Sequence, residues 1–121
     1  MPQFNSIQDI FVLTPDYFLP ENADGVEASV QFEFTGEGGG DWFLQVSGGQ
    51  LTVASGRLPA YDLYATAGAQ DTLDIANGNL NPMTAYFKGK LNVLGDTSKI
   101  FDFQKVFRLP EQLAWLKSLQ S

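Results

Sequence analysis

Hydrophobic positions change period twice along this chain. Phe4, Ile7 and Phe11 recur at helical spacing, and Ser6, followed three positions later by Asp9, reads as the cap that opens that helix. Thr14-Pro15 stops the helix, and Pro20 to Gly25 reads as an irregular turn. From Val26 the period is two. Val26, Ala28, Val30, Phe32 and Phe34 alternate with Glu27, Ser29, Gln31, Glu33 and Thr35, which predicts a strand with one buried and one wet face. Gly36 to Gly40 is a loop, and Trp42, Leu44 and Val46 continue the alternation in a partner strand. Gly48-Gly49 marks a hairpin turn, Leu51 and Val53 a third strand, and Tyr61, Leu63 and Ala65 a fourth after Pro59.

The helical period then returns, around 69 to 77 and 82 to 88. Asn77-Gly78 ends the first of these helices, because Gly takes the left-handed backbone of a helix terminus without steric cost. Asn81-Pro82 opens the second: Asn accepts from free amide donors, and Pro at the first helical position has no donor to waste. Met83, Tyr86 and Phe87 fall on its apolar face. Residues 90 to 94 alternate as a strand, and Asp96 caps a helix with Ile100, Phe103 and Phe107 on one side. Leu109-Pro110 breaks that helix, and 109 to 121 carries a last amphipathic helix with Leu113, Leu116 and Leu119 at spacing three. A meander of strands with helices laid over one face is an α+β fold in two layers, one domain spanning 1 to 121.

The passage LDIANGNLNPMTAYFKGKLNVLGD, Leu73 to Asp96, resembles the sterol carrier protein type 2 family in its order of helix, Gly, small loop, apolar helix, GKL strand, Gly-Asp and helix. TGEGGGDWFLQVSGGQLTV (Thr35 to Val53) is similar to that family's first hairpins, and LTPDYFLPENADG (Leu13 to Gly25) to its opening segment. Together the matched pieces cover about residues 4 to 108. The resemblance implies a five-stranded, mostly antiparallel sheet with helices on one face and an apolar tunnel between the layers. It also implies a non-catalytic binding or transfer protein for a fatty acyl chain, a fatty acyl-CoA or a sterol-like lipid.

Composition narrows the chemistry. The chain has neither histidine nor cysteine, which removes the usual metal ligands, the Ser-His triad, the thiol nucleophile and the commonest general base. No cofactor is called for. Glu37 and Asp41 flank the Gly-rich loop and read as solvated loop-tip acids. GEGGGD lacks the Lys-Ser/Thr tail of a phosphate loop and joins strand to strand. The net charge of −7 argues against nucleic acid. It is unevenly spread. From position 88 onward six bases face three acids, a net of +3, whereas residues 1 to 87 set Arg57 against eleven acids, a net of −10. The basic third reads either as an ordinary solvated face or as a contact for an anionic membrane or an acidic partner. No basic n-region or long apolar run opens the chain, and LKSLQS is not an SKL-type ending, so the cytoplasm is the expected compartment.

What remains is apolar surface, with ten Phe, four Tyr and two Trp. Periodicity turns these side chains inward, and the resemblance assigns them to a tunnel. Phe32, Phe34, Trp42 and Leu44 are then the floor, Met83, Phe87, Ile100, Phe103 and Phe107 the roof, and Leu113 and Leu116 the mouth. Loose specificity follows, with chain length mattering and headgroup much less. The carrier is expected to be a monomer or a dimer. Two other readings stay open. One is a ligand-free interaction module. The other is a small isomerase using Asp62 beside Tyr61 and Tyr64 as a buried carboxylate.

Overall fold

A computed structural model of the chain describes residues 4–107. Helix α1 (Ile7–Leu13) opens where Ser6 accepts a hydrogen bond from the Asp9 amide at 3.2 Å, and the Asp9 carboxylate accepts one from the Asn5 amide at 3.0 Å. Two short 3-10 turns, Thr14–Tyr17 and Pro20–Asn22, lead into strand β1 (Ala28–Thr35). Strands β2 (Gly40–Ser47) and β3 (Gln50–Ser55) join through Gly48 and Gly49, both at positive φ, as the two-residue turn of a tight hairpin requires. Then come β4 (Leu63–Gly68), α2 (Ala69–Ala76), α3 (Pro82–Phe87), β5 (Leu91–Gly95) and α4 (Ser98–Val106). The predicted 109 to 121 helix, with Leu113 and Leu116, lies outside the described residues.

The five strands form one sheet in the order β3-β2-β1-β4-β5. It is antiparallel except at the β1–β4 pair, which is parallel, with Phe32 beside Ala65. The expected meander therefore stops at β3. To lie parallel to β1 on its other side, β4 must be reached by a crossover, and residues 56–62 make it across the sheet face opposite the helices.

That crossover corrects the expected wet face of β1. Gln31 has 0% of its surface exposed, and Ser29 is also buried. The Gln31 amide donates to the carbonyls of Gly56 (2.9 Å), Trp42 (3.1 Å) and Phe32 (3.3 Å), and its oxygen accepts from the Leu58 amide at 2.8 Å. A polar side chain is tolerated there because the crossover backbone satisfies both ends of its amide. Asp62 closes the same seam. Its carboxylate accepts from the Ser29 amide at 2.9 Å, and its own amide donates to the Ser29 hydroxyl at 3.0 Å. Its carbonyl accepts from the Asp96 amide at 2.9 Å. Gly95 makes this approach feasible: at φ +112, a Cβ there would sit 2.3 Å from the Asp62 carbonyl oxygen.

On the helix side the sheet presents Phe32, Phe34, Val30, Ala65 and their register partners. One core cluster joins α1 to the sheet through Ile7, Phe11, Phe34, Ala67 and Ala69. A second joins α4 to the turn before β1 through Ala23, Val26, Ala28, Val46 and Val106. A third, between them, consists of Val30, Leu63 and Ala65. Asn77, read from sequence as a helix stop, has a second function. Its side chain bonds both the amide (2.8 Å) and the carbonyl (2.9 Å) of Phe4, tying the start of the described chain to the end of α2.

Two outcomes follow. Gln31→Ala strands the Leu58 amide and several carbonyls in a buried seam, so denaturant unfolding should show a loss of about 3 kcal/mol. At the start of α4 the hydrogen bonds from Ser98 hold the Asp96 carboxyl below its usual range. A group depressed in the folded state stabilises above its unfolded pKa and ceases to do so as pH falls through its folded pKa. Asp96→Ala should therefore lower the melting temperature at pH 7, with the gap to the parent closing on acidification below the normal carboxylate range.

Candidate functional site

The aromatic residues of β1 and β2 project from alternate positions and meet α1 from below. Phe11 stacks on Trp42 with centroids 4.9 Å apart and planes 2° from parallel. The same ring meets Phe32 edge-on at 5.4 Å and Phe34 at 5.8 Å, and Phe32 stacks on Phe34 at 5.5 Å. The four expected floor residues, Phe32, Phe34, Trp42 and Leu44, are thus together. Phe34 is closed into the core, whereas Phe32, Trp42 and Leu44 are only partly buried. Phe11 belongs with them. Its place on the α1 face was readable, but not that this face lands on Trp42.

The expected roof divides. Ile100 and Phe103 pack from α4 onto the middle cluster, and Phe103 also reaches the second cluster, so it bridges the two. Phe107 is not on the helix. It is the extended residue after α4, bridged to Phe18, and its ring stays 6.4 Å from Phe103. Phe87 departs from expectation altogether: it ends α3 with 77% of its surface exposed, and it is Ala85 that α3 buries. A helix of six residues has one narrow inward stripe, and Ala85 occupies it. Met83 belongs to α3, but its side chain lies outside what the structure describes.

Between α1 and α4 a run of apolar side chains is left incompletely covered. Phe32 and Leu44 pack against both the α1 cluster and the middle cluster without being buried by either. Val53, Leu73 and Leu91 pack on the α1 cluster and Val93 on the middle one, also half-buried.

A separate cleft of about 630 Å³ lies open to solvent between the start of α1, the Gly36–Gly40 loop and the start of α2. Asn5, Ser6, Thr35, Glu37, Gln70 and Asp71 supply its polar walls. Ile7, Ala69 and Leu73 line it as well, and these three belong to the cluster that holds Phe11 and Phe34. Glu37 and Asp71, 34 positions apart by number, meet here because β1 and β4 run parallel and end side by side at Thr35 and Gly68. No short motif marks such a meeting.

The titratable chemistry lies on the opposite face. Arg57 Nε reaches Asp41 Oδ2 at 3.1 Å, and its Nη2 lies 3.3 Å from both Glu33 Oε1 and the Tyr64 hydroxyl. The Tyr64 hydroxyl donates in turn to Glu33. This bond to a carboxylate raises the Tyr64 pKa, with Arg57 partly offsetting it, and the Tyr64 and Asp41 bonds raise that of Arg57. Both groups keep their protons near neutral pH, so the cluster is a clamp across β1, β2, β4 and the crossover. Asp41 accordingly belongs to this clamp and does not share a site with Glu37. Asp62 is held in the Ser29 seam, and Tyr64 turns to Glu33 instead of to it. Among the described residues, no group of three or more acidic, His or Cys side chains could hold a metal ion. No helix among them is long and apolar enough to cross a membrane.

Known proteins place this architecture. Hydroxysteroid dehydrogenase-like protein 2 of Rattus norvegicus is 27% identical over 106 residues, which are 87% of this chain but only 20% of that protein. The stereoselective inverting sec-alkylsulfatase Pisa1 from Pseudomonas sp. superimposes with a TM-score of 0.67 at 22% identity, over 85% of this chain and 16% of the sulfatase. The chain therefore spans about a fifth of these longer proteins. The solution structure of palmitated SCP2L2 from Aedes aegypti matches at nearly full length, with a TM-score of 0.58, 23% identity and coverage of 82% and 86%. Residues 11–108 match the SCP-2 sterol transfer family, and the chain belongs to it.

Proposed function

We propose that this protein is a non-catalytic, one-domain lipid carrier that holds one long apolar chain between its sheet and its helices. The observation that carries the reading is Phe32. It sits on the central strand, between buried Val30 and Phe34 on the same face, yet remains half-open, as do Leu44 and Val93 beside it. A core closed on itself packs such positions to crystal-like density. A central row left uncovered is where a lipid chain completes the packing and closes a tunnel. That the similarly folded SCP2L2 of Aedes aegypti is palmitated supports an acyl chain as ligand.

Energetics permit useful affinity without any dedicated polar contact. Burying about 14 methylenes at ~0.8 kcal/mol each gives roughly 11 kcal/mol. Immobilisation takes back at least ~4 kcal/mol, leaving micromolar binding. Fatty acyl, acyl-CoA and sterol-like ligands all fall within this reading. The absence of cysteine fits a cytoplasmic carrier, and the basic residues from Lys88 onward offer a transient contact with an anionic membrane. The enzymes among the relatives favour a second use, in which the module presents an apolar ligand to a catalytic partner.

A Trp115→Phe background leaves Trp42 as the single indole. Titration with tetradecanol, tetradecanoate and cholesterol should then change its emission saturably for at least one ligand, with a micromolar Kd. At a hundredfold excess over Kd the melting midpoint should rise by roughly 10 °C. Phe32→Ala should weaken binding about tenfold, since it removes part of the surface that the chain covers. Flat emission and an unmoved midpoint with all three ligands would overturn the carrier reading.

A further inference from the structure

We infer that the turn closing α3, with Phe87 at its tip and Lys88 beside it, is the surface by which this carrier docks on an anionic lipid bilayer. The inference deepens the carrier reading, on which it rests for the use of the contact, by naming where the membrane is met.

Exposure comes first. Among the described residues Phe87 is the most open of the large apolar side chains, at 77%, and its neighbour Tyr86 is also exposed. Helix α3 buries Ala85 and turns its two rings outward, although the opposite choice would hide more apolar area. The tip is held in place. The Lys90 amide donates to the Ala85 carbonyl at 2.8 Å and the Gly89 amide to the Tyr86 carbonyl at 3.1 Å, the paired bonds that close a helix on a left-handed glycine, and Gly89 has φ +76. Phe87 meets Tyr86 edge-on, with centroids 5.8 Å apart. Two rings are thus presented on a fixed turn whose residues 86 to 90 are all exposed.

Charge and size select the occupant. The stretch from Ile75 to Gly95 contains Lys88 and Lys90 and no acid, in a chain of net charge −7. Lys90 Nζ lies 3.8 Å from Asp71, whereas Lys88 enters no ion pair among the described residues. An anionic surface therefore finds an unpaired lysine at this turn, and the carboxylate linked to it is already engaged by Lys90. Two aromatic rings cover at most about 500 Å². A stable protein interface buries about 800 Å² per partner, so the turn is too small for one. A bilayer needs no matching partner. Aromatic rings settle at headgroup level, and a lysine stem lies along the apolar layer with its ammonium among the phosphates. The turn leads directly into β5, the edge strand whose Leu91 and Val93 pack on the helix-side clusters, so docking brings that edge of the carrier to the membrane.

The test measures partition onto vesicles of phosphatidylcholine alone or with about 30% phosphatidylserine, in about 0.1 M salt so that distant acids are screened. The anionic vesicles should bind the protein several-fold more tightly. Lys88→Gln should weaken that binding about fivefold, and Phe87→Ser about tenfold. Phe101→Ser with Lys105→Gln, a matched exposed pair on α4, should leave it unchanged. The chain has no cysteine, so Phe87→Cys and Val12→Cys each carry a single polarity-sensitive label. On vesicle binding the label at 87 should shift to the blue, while the label at 12, on the exposed side of α1, should stay in water. Phe87→Ser should also keep the parent's Kd for tetradecanol, which separates docking from folding and from uptake. Absent binding, equal binding to the two vesicles, equal losses in the tip and control variants, or a label at 87 that stays in water on bound protein would each overturn the docking surface and leave the carrier intact. So would a dimer that Phe87→Ser abolishes in a protein that ignores vesicles, since the turn would then belong to a second copy. Tip-dependent vesicle binding by a protein that takes up no lipid would keep the surface and overturn the carrier reading instead.

Discussion

The parallel pairing of β1 with β4 is the constraint from which the rest of the architecture follows. Once β4 must run alongside β1, the chain leaving β3 has to cross a face of the sheet, and it crosses the one opposite the helices. Gln31 makes that crossing stable. Buried in the strand and bonded to Gly56, Leu58 and Trp42, it replaces the water that an outward-facing amide would otherwise bind. Ser29 and Asp62 extend the seam, and Gly95 lets β5 approach it. With the crossover committed to one face, the other is free to carry aromatics, and it is this face that the helices only partly cover.

The two faces have thereby separated their chemistry. Nearly all of the distinctive polar geometry, the Gln31 seam and the Arg57 clamp, holds strands and crossover together. The helix side holds the unspent apolar surface, from the Phe11–Trp42 stack to Phe103. A perturbed Tyr64 and a multiply bonded Arg57 would attract attention in a search for catalytic groups. Their partners show that they are satisfied internally, on the face away from the apolar row.

Local signals were legible where the sequence itself makes the interaction. Ser6 with Asp9, Gly48-Gly49, Asn77-Gly78 and Asn81 act within a few positions of themselves, and the structure uses each as read. The common face of Phe32, Phe34, Trp42 and Leu44 was legible too, since period two places them on one side of the sheet. What alternation could not show is that both faces of β1 are covered, because a Gln buried under a crossover looks in sequence like a Gln facing water. Phe87 was misread for a related reason. Sequence alone leaves open which side of so short a helix becomes its single inward stripe, and neighbouring elements decide it. Asp62 and Tyr64 looked like a pair until tertiary partners drew them apart. The meeting of Glu37 with Asp71 depends on parallel strand pairing, which no local window contains.

The central claim is that the half-open row around Phe32 is completed by one lipid chain. Native mass spectrometry of the intact protein, after incubation with a total membrane lipid extract and removal of free lipid, tests it most directly. The account predicts a single adduct per chain, its mass matching one lipid recovered by organic extraction of the same sample and lost in parallel with binding when Phe32 is replaced by Ala. The bare chain mass alone, or several adducts per chain that Phe32→Ala leaves in place, would contradict it.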